Sequence, residues 1–238
     1  MRETERRIVR AAETLFAEHG FDVTWTDLAS AAGVPPAVVR RYFRNKSLLV
    51  DKVLARLAAK RWRPEWEALL ANRAAPLERR LIRFLTEYAS HAARNSTRLS
   101  MRAALTDGLA NAKAVFDSAL ARRALLPIVR ELRHDIGVPP PEERNILATE
   151  LELVHMICGA VTYPNVRSHI FDAAVNGNVA ELVAMIVRTW LPGARAEMQR
   201  LHAMEPTTLR AAPLFAAIES PQAASAPAME VLEEALCE

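Results

Sequence analysis

An all-α fold is what this sequence predicts, and three observations predict it. Glycine is scarce, seven in 238 residues, against abundant Ala, Leu, Arg and Glu, residues that lose little conformational freedom in a helix. Apolar residues recur at steps of three and four along most of the chain, the spacing of helices with one buried face. No stretch reads as a strand, a repeat or a glycine-rich phosphate loop. Half of the residues are hydrophobic, enough to give a chain of this length one large core or two smaller ones.

Taken in order, Ile8, Ala11, Ala12, Leu15, Phe16 and His19 mark an amphipathic helix of about four turns, and Gly20 fits its C-terminal stop. Thr24 is an N-cap with Asp27 three residues on, a capping box with Asp in place of Glu. Trp25, Leu28, Ala29 and Ala32 form the apolar face of this second helix, which Gly33 ends. A third helix starts near Pro36, since proline is tolerated at a first helical position, and runs to Phe43 or Arg44. Two short helices joined by a tight glycine-containing turn, braced by the first, make a helix-turn-helix over residues 1–46.

Residues 47–193 read as a larger helical domain. Leu48, Leu49, Val53, Leu54 and Leu57 predict a helix to about Lys60, and Leu77, Leu81, Phe84, Leu85 and Tyr88 another. Residues 109–134 predict a helix bent near Pro127. A helix over about 142–162 opens on Glu142 and Glu143, which the helix dipole favours there. A loop at 163–177 precedes a helix over 178–191 that Pro192 stops. Residues 194–238 form an acidic, Ala/Pro-rich extension.

The net charge is only +3, but it is unevenly spread. Residues 39–63 hold nine Lys or Arg against one acid, Asp51, whereas residues 196–238 hold two Arg against seven Glu. Such a basic segment predicts a local surface for a polyanion. Cys158 and Cys237 lack metal-ligand spacing, and Cys158 reads as a small buried hydrophobe. The six histidines are scattered, and no HExxH, CxxC, G-x-S-x-G or Walker-type run is present. No enzyme chemistry, metal or cofactor is expected. The charged N-terminus lacks a signal-peptide core and no apolar run reaches bilayer length, so the expectation is a cytoplasmic protein without membrane contact.

The basic segment coincides with the third helix. In a helix-turn-helix the second of the paired helices enters the major groove of double-stranded DNA, its N-terminal residues at the base edges. Here these are Pro36, Ala37 and Val38, small enough for close approach and for contact with a thymine methyl. Arg40 and Arg41 follow, suited to guanine O6 and N7. Tyr42, Arg44 and Lys46 are better placed to hold phosphates.

Residues 7–49, RIVRAAETLFAEHGFDVTWTDLASAAGVPPAVVRRYFRNKSLL, resemble the tetracycline-repressor-like (TetR-family) bacterial transcription regulators. The shared elements are an Ile…Ala…Phe first helix, glycine followed by an aromatic, the T..DLA..AGV run, and an aromatic-rich end followed by Lys and Leu-Leu. The resemblance implies that Thr24 caps the second helix and touches phosphate, and that Thr26 faces the DNA. It implies that 36–38, Arg40 and Arg41 lie in the groove while Tyr42 and Lys46 grip the backbone. Two positions depart from the pattern: Pro35 stands where a Ser-type cap is usual, and Arg40 where Tyr is usual.

The resemblance ends near residue 55. It implies a helical ligand-binding and dimerisation domain beyond, with helices near 142–162 and 178–191 pairing with their copies in a homodimer. Ile146, Leu153, Ile157, Leu182, Met185 and Ile186 suit that seam, with intramolecular core nearly as good a reading. Trp62, Trp66, Tyr88, His91, Met101, Phe116 and His155 are candidate lining for a mostly apolar small-molecule effector. The function expected is a ligand-responsive regulator, a repressor binding a palindromic operator. The alternatives are an activator without effector, or a helical small-molecule-binding or interaction module with incidental DNA binding.

Overall fold

The computed structural model describes residues 3–91, 94–106, 124–141 and 145–203. These residues form ten helices and no strand: α1 (Glu3–His19), α2 (Trp25–Ala32), α3 (Pro36–Tyr42), α4 (Lys46–Arg61), α5 (Glu65–Ala71), α6 (Leu77–Ser90), α7 (Arg94–Leu105), α8 (Leu126–Asp135), α9 (Ala148–Ile170) and α10 (Val179–Ala203). They divide into two compact units.

The first unit holds α1–α4 and α7. Glu3 and Glu5 sit in the first turn of α1, where the dipole favours acids. Ile8, Val9, Ala12, Phe16 and Ala17 form its buried stripe. Gly20 adopts φ +86° and its N–H closes on the Phe16 carbonyl at 3.0 Å. Around this stripe gather Leu28, Ala29 and Ala32 of α2, Val39 of α3, Phe43, and Leu49, Val50, Val53, Leu54 and Leu57 of α4. The same core takes in Leu99 and Ala103 of α7, so the N-terminal unit is larger than its three-helix head. Arg102 of α7 donates to the Glu18 carbonyl at 3.2 Å, covering the end of α1.

The second unit holds α5, α6, α8, α9 and α10. Trp66, Leu70, Leu81, Phe84, Leu85, Ile128, Leu132, Val154, Ile157, Val187 and Met198 are among its buried core. Cys158 is buried there, 7% exposed. Two ionic groups lie inside the unit. Arg133 and Glu150 are both 0% exposed and form a two-pronged pair at 2.7 and 2.6 Å. Glu150 also accepts from the Leu147 N–H at 2.7 Å, closing the first turn of α9, and lies 2.9 Å from His202 Nε2 of α10. Glu131 of α8 takes Arg80 of α6 at 2.6 Å and Arg73 at 2.9 Å.

Two elements differ from the sequence expectation. The segment 163–177 is helical as far as Ile170, and α10 continues through Pro192 to Ala203. A proline inside a helix costs about 3 kcal/mol, because it removes one hydrogen bond and crowds the preceding turn. In α10 the buried positions Val183, Val187, Leu191, Ala194, Met198 and Leu201 run at helical spacing straight across Pro192, and their burial outweighs that cost. The carbonyls left without a helical donor belong to Ala160 and Arg188, both exposed residues that water reaches. Pro127 does not bend a longer described helix; it stands in the first turn of α8, where proline is accepted. Glu142, Glu143, Phe116, Cys237 and most of the acidic extension lie outside the described residues.

Burial pushes the Glu150 carboxyl up, but hydrogen bonds from Arg133, His202 and the Leu147 N–H together hold it below the ordinary glutamate value of 4.5. A carboxylate held low in the folded state stabilises above its unfolded pKa and loses that contribution as pH falls through the folded value. Glu150→Gln strands the Arg133 charge, so an expected loss of about 3–5 kcal/mol follows, measurable by urea unfolding. The stability of the unsubstituted protein should fall more steeply than that of the variant on acidification below about pH 4.5.

Candidate nucleic-acid interface

Helix α3 is short, and its orientation is fixed by two buried side chains four residues apart, Val39 (0% exposed) and Phe43 (5%). With about 100° between successive residues of a helix, burying that side turns Ala37 and Arg41 outward and leaves Arg40 on the flank; all three are exposed, as is Pro36 at the helix start. Val38 and Tyr42 are half-buried at the margins, and Arg44 is exposed just past the helix end. Pro35 (φ −62°, ψ 146°) precedes the helix without a side-chain cap, and the Val38 N–H closes on the Pro35 carbonyl at 2.9 Å.

Helix α2 is held by both halves of its capping box. Thr24 Oγ1 accepts from the Asp27 N–H at 3.1 Å, and Asp27 Oδ2 accepts from the Thr24 N–H at 3.1 Å and its hydroxyl at 2.6 Å. The hydroxyl bond, then the backbone bond, hold the Asp27 carboxyl below its ordinary value. Thr24 and Thr26 are exposed, with the Thr24 hydroxyl already engaged by Asp27. Gly33 ends the helix at φ 63°.

Lys46 is half-buried at the first residue of α4. Asn45 Oδ1 accepts from the Leu48 N–H at 2.9 Å and caps that helix. A lysine beside a helix N-terminus, with its free backbone N–H groups, suits a phosphate. Asn45 was not singled out in the sequence, although an Asn directly before a helical run is a usable cap signal.

The basic segment divides in two. Lys52, Arg56 and Lys60 of α4 turn to α1: Lys52 lies 4.0 Å from Glu5, and Arg56 and Lys60 lie 3.7 and 3.3 Å from Glu13. Arg40, Arg41, Arg44 and Lys46 make no ion pair with the described residues. Of the cations between residues 39 and 60, those without an acidic partner among the described residues therefore lie on α3 and its exit.

In the second unit, four of the seven candidate effector residues come together. Trp66 is fully buried and meets Trp62, Tyr88 and His91 with ring centroids at 5.3, 6.0 and 5.8 Å, and Phe84 at 5.4 Å. Trp66 Nε1 donates to Glu87 Oε2 at 2.7 Å. Met101 belongs to the first unit and is 40% exposed. His155 lies 3.9 Å from Glu152. Of the seam residues, Ile146 and Ile157 are buried in the unit's own core, while Leu153 and Ile186 are half-buried against it. Leu182 is half-buried and Met185 is 57% exposed. Among the described residues no group of His, Cys, Asp or Glu converges to hold a metal ion, and no helix is long and apolar enough to cross a membrane.

Residues 8–53 match the family model of the bacterial regulatory proteins of the tetR family. Solved structures of regulators share the architecture over most of both chains. Over residues 8–53 the chain is similar to the tetR-family regulators. A tetR-family transcriptional regulator from Streptomyces coelicolor is 18% identical, covering 91% of this chain and 95% of its own, with a TM-score of 0.56. A transcriptional regulator from Pseudomonas aeruginosa PAO1 is 15% identical, covering 83% and 93%, with a TM-score of 0.60. The fatty acid degradation regulator FadR from Bacillus halodurans is 18% identical, covering 81% and 97%, with a TM-score of 0.55. No curated protein matches the chain. At these identities the TetR-family structures speak to the fold, and the N-terminal match to DNA-binding regulation.

Thr24→Ala removes one half of the α2 cap and should destabilise the chain by about 1 kcal/mol. Gly33→Ala forces a side chain into the left-handed region and should cost about 1–2 kcal/mol. Chemical denaturation of the two variants checks both values.

Proposed function

We propose that this protein is a TetR-family repressor, sequence-specific and ligand-responsive, that reads a palindromic operator as a homodimer. The observation that carries this reading is the cationic face of α3. Arg40, Arg41, Arg44 and Lys46 remain free of acidic partners among the described residues, while Lys52, Arg56 and Lys60 of α4 face Glu5 and Glu13. Arg40 and Arg41 read base edges, with Pro36, Ala37 and Val38 allowing close approach. Thr24, Thr26, Tyr42, Arg44 and Lys46 hold the backbone.

A second copy would place an equivalent recognition helix about 34–36 Å away, one turn of the duplex. Met156 and Tyr163 of α9, seven residues apart and 62% and 56% exposed, lie on one side of that helix. With Leu182 and Met185 of α10 they support an apolar seam between copies. A mostly apolar effector would meet the ring cluster at Trp62 and His91, both half-buried. It acts only through a different affinity for the DNA-competent and DNA-incompetent shapes. Occupying promoter DNA excludes polymerase, hence repression.

Affinity for duplex should fall steeply and linearly with the logarithm of salt, and Lys46→Ala should lower that slope by about one while weakening all sequences alike. Arg40→Ala and Arg41→Ala should relax base preference at a cost of about 1–3 kcal/mol on the preferred site. Salt-insensitive binding, or equal losses on preferred and random duplex for all three variants, contradicts this assignment. For the seam, Met156→Glu with Met185→Glu should give monomers in sedimentation equilibrium; an unchanged dimer rejects it.

A further inference from the structure

We propose that Arg7 of α1 is a positioning residue for base reading, acting on the turn that aims α3; this rests on the reading of α3 as the recognition helix. The turn's own backbone groups explain the need. The last carbonyls of a helix lack intrahelical partners and must find donors elsewhere. In α2, the Ala29 carbonyl takes the Val34 N–H and the Ser30 carbonyl takes the Gly33 N–H, both at 3.0 Å. The next two residues are Pro35 and Pro36, which have no N–H to give. Pro35 also leaves α3 without a side-chain cap.

The Ala32 and Gly33 carbonyls are met from across the unit. Arg7 Nη2 donates to the Ala32 carbonyl at 2.7 Å and to the Gly33 carbonyl at 3.0 Å. The guanidinium passes so close that a Cβ added at Gly33 would lie 2.7 Å from Nη2. Glycine at this position thus serves both the left-handed turn and the approach of Arg7. Arg10 lines the same open groove, about 400 Å³ in volume, together with Arg7 and Ser30, yet bonds neither carbonyl. It carries the same charge one turn along and provides a control. Arg7 therefore replaces donors that the double proline removed, fixing the path from α2 into α3.

The test compares the full chain with Arg7→Met, Arg10→Met and the double variant Arg7→Met/Pro35→Ser. Serine restores a backbone N–H and an oxygen able to cap the Ala37 or Val38 N–H. Two probes are used: the duplex enriched by the unsubstituted protein from a random library, and an unselected duplex of equal length. Binding is measured below the melting temperature of every variant. Arg7→Met should lower the ratio of selected to unselected affinity about tenfold, the scale of one charge-assisted hydrogen bond, with the salt slope unchanged. Arg10→Met should leave the ratio intact, and the added Pro35→Ser should recover most of it.

Equal losses on both duplexes with a shallower salt slope would make Arg7 a phosphate contact and overturn the proposal. A ratio that Arg7→Met leaves unchanged, or that Pro35→Ser does not recover, also overturns it. If the unsubstituted protein enriches no sequence, the function reading falls and this inference with it, a result distinct from a preference that survives loss of Arg7.

Discussion

Burial of Val39 and Phe43 in the core shared by α1, α2 and α4 is the constraint on which the N-terminal unit depends. Both side chains are essentially out of water, in one core with Ile8, Ala12, Phe16, Leu28 and Leu49. Because α3 is only seven residues long, it lacks the length to be stable alone and exists through this burial. The same burial decides what the helix offers to solvent. Once residues 39 and 43 face inward, residues 37 and 41 face outward and residue 40 lies on the flank by the geometry of the helix.

Charge in this unit is sorted by tertiary contacts. As a linear segment, residues 39–63 are strongly basic throughout. In the fold, Glu5 and Glu13 of α1 take up Lys52, Arg56 and Lys60, pairs that individually stabilise little at partly exposed positions. Within that segment they leave the unpaired cations on and just after α3.

The second unit shows another balance. Arg133, Glu150, Arg80 and Glu131 are all nearly inaccessible, an arrangement that is tolerable only because each charge faces an opposite one with good hydrogen-bond geometry. Glu150 joins α8 through Arg133, α10 through His202, and its own helix start through the Leu147 N–H. These links specify which helices adjoin within an otherwise apolar core. The ring cluster around Trp66 adds edge-to-face contacts, an arrangement that rings prefer over face-to-face stacking.

The sequence by itself determined the helical class, the three N-terminal helices with their glycine stops, the Thr24–Asp27 cap and the outward face of α3. These are local properties, set by apolar spacing, capping chemistry and proline or glycine geometry within a few residues. The passage of α9 and α10 through Pro164 and Pro192 was not legible, because the local penalty of a proline is overridden by core contacts along the rest of the helix. Nor was the division of the basic segment or the membership of Leu99 in the N-terminal core. Arg7 makes the point most sharply. Its bonds reach residues 25 and 26 positions away, and no periodicity in the chain marks it. Only folding brings a donor from α1 to carbonyls that the two following prolines have no N–H to satisfy.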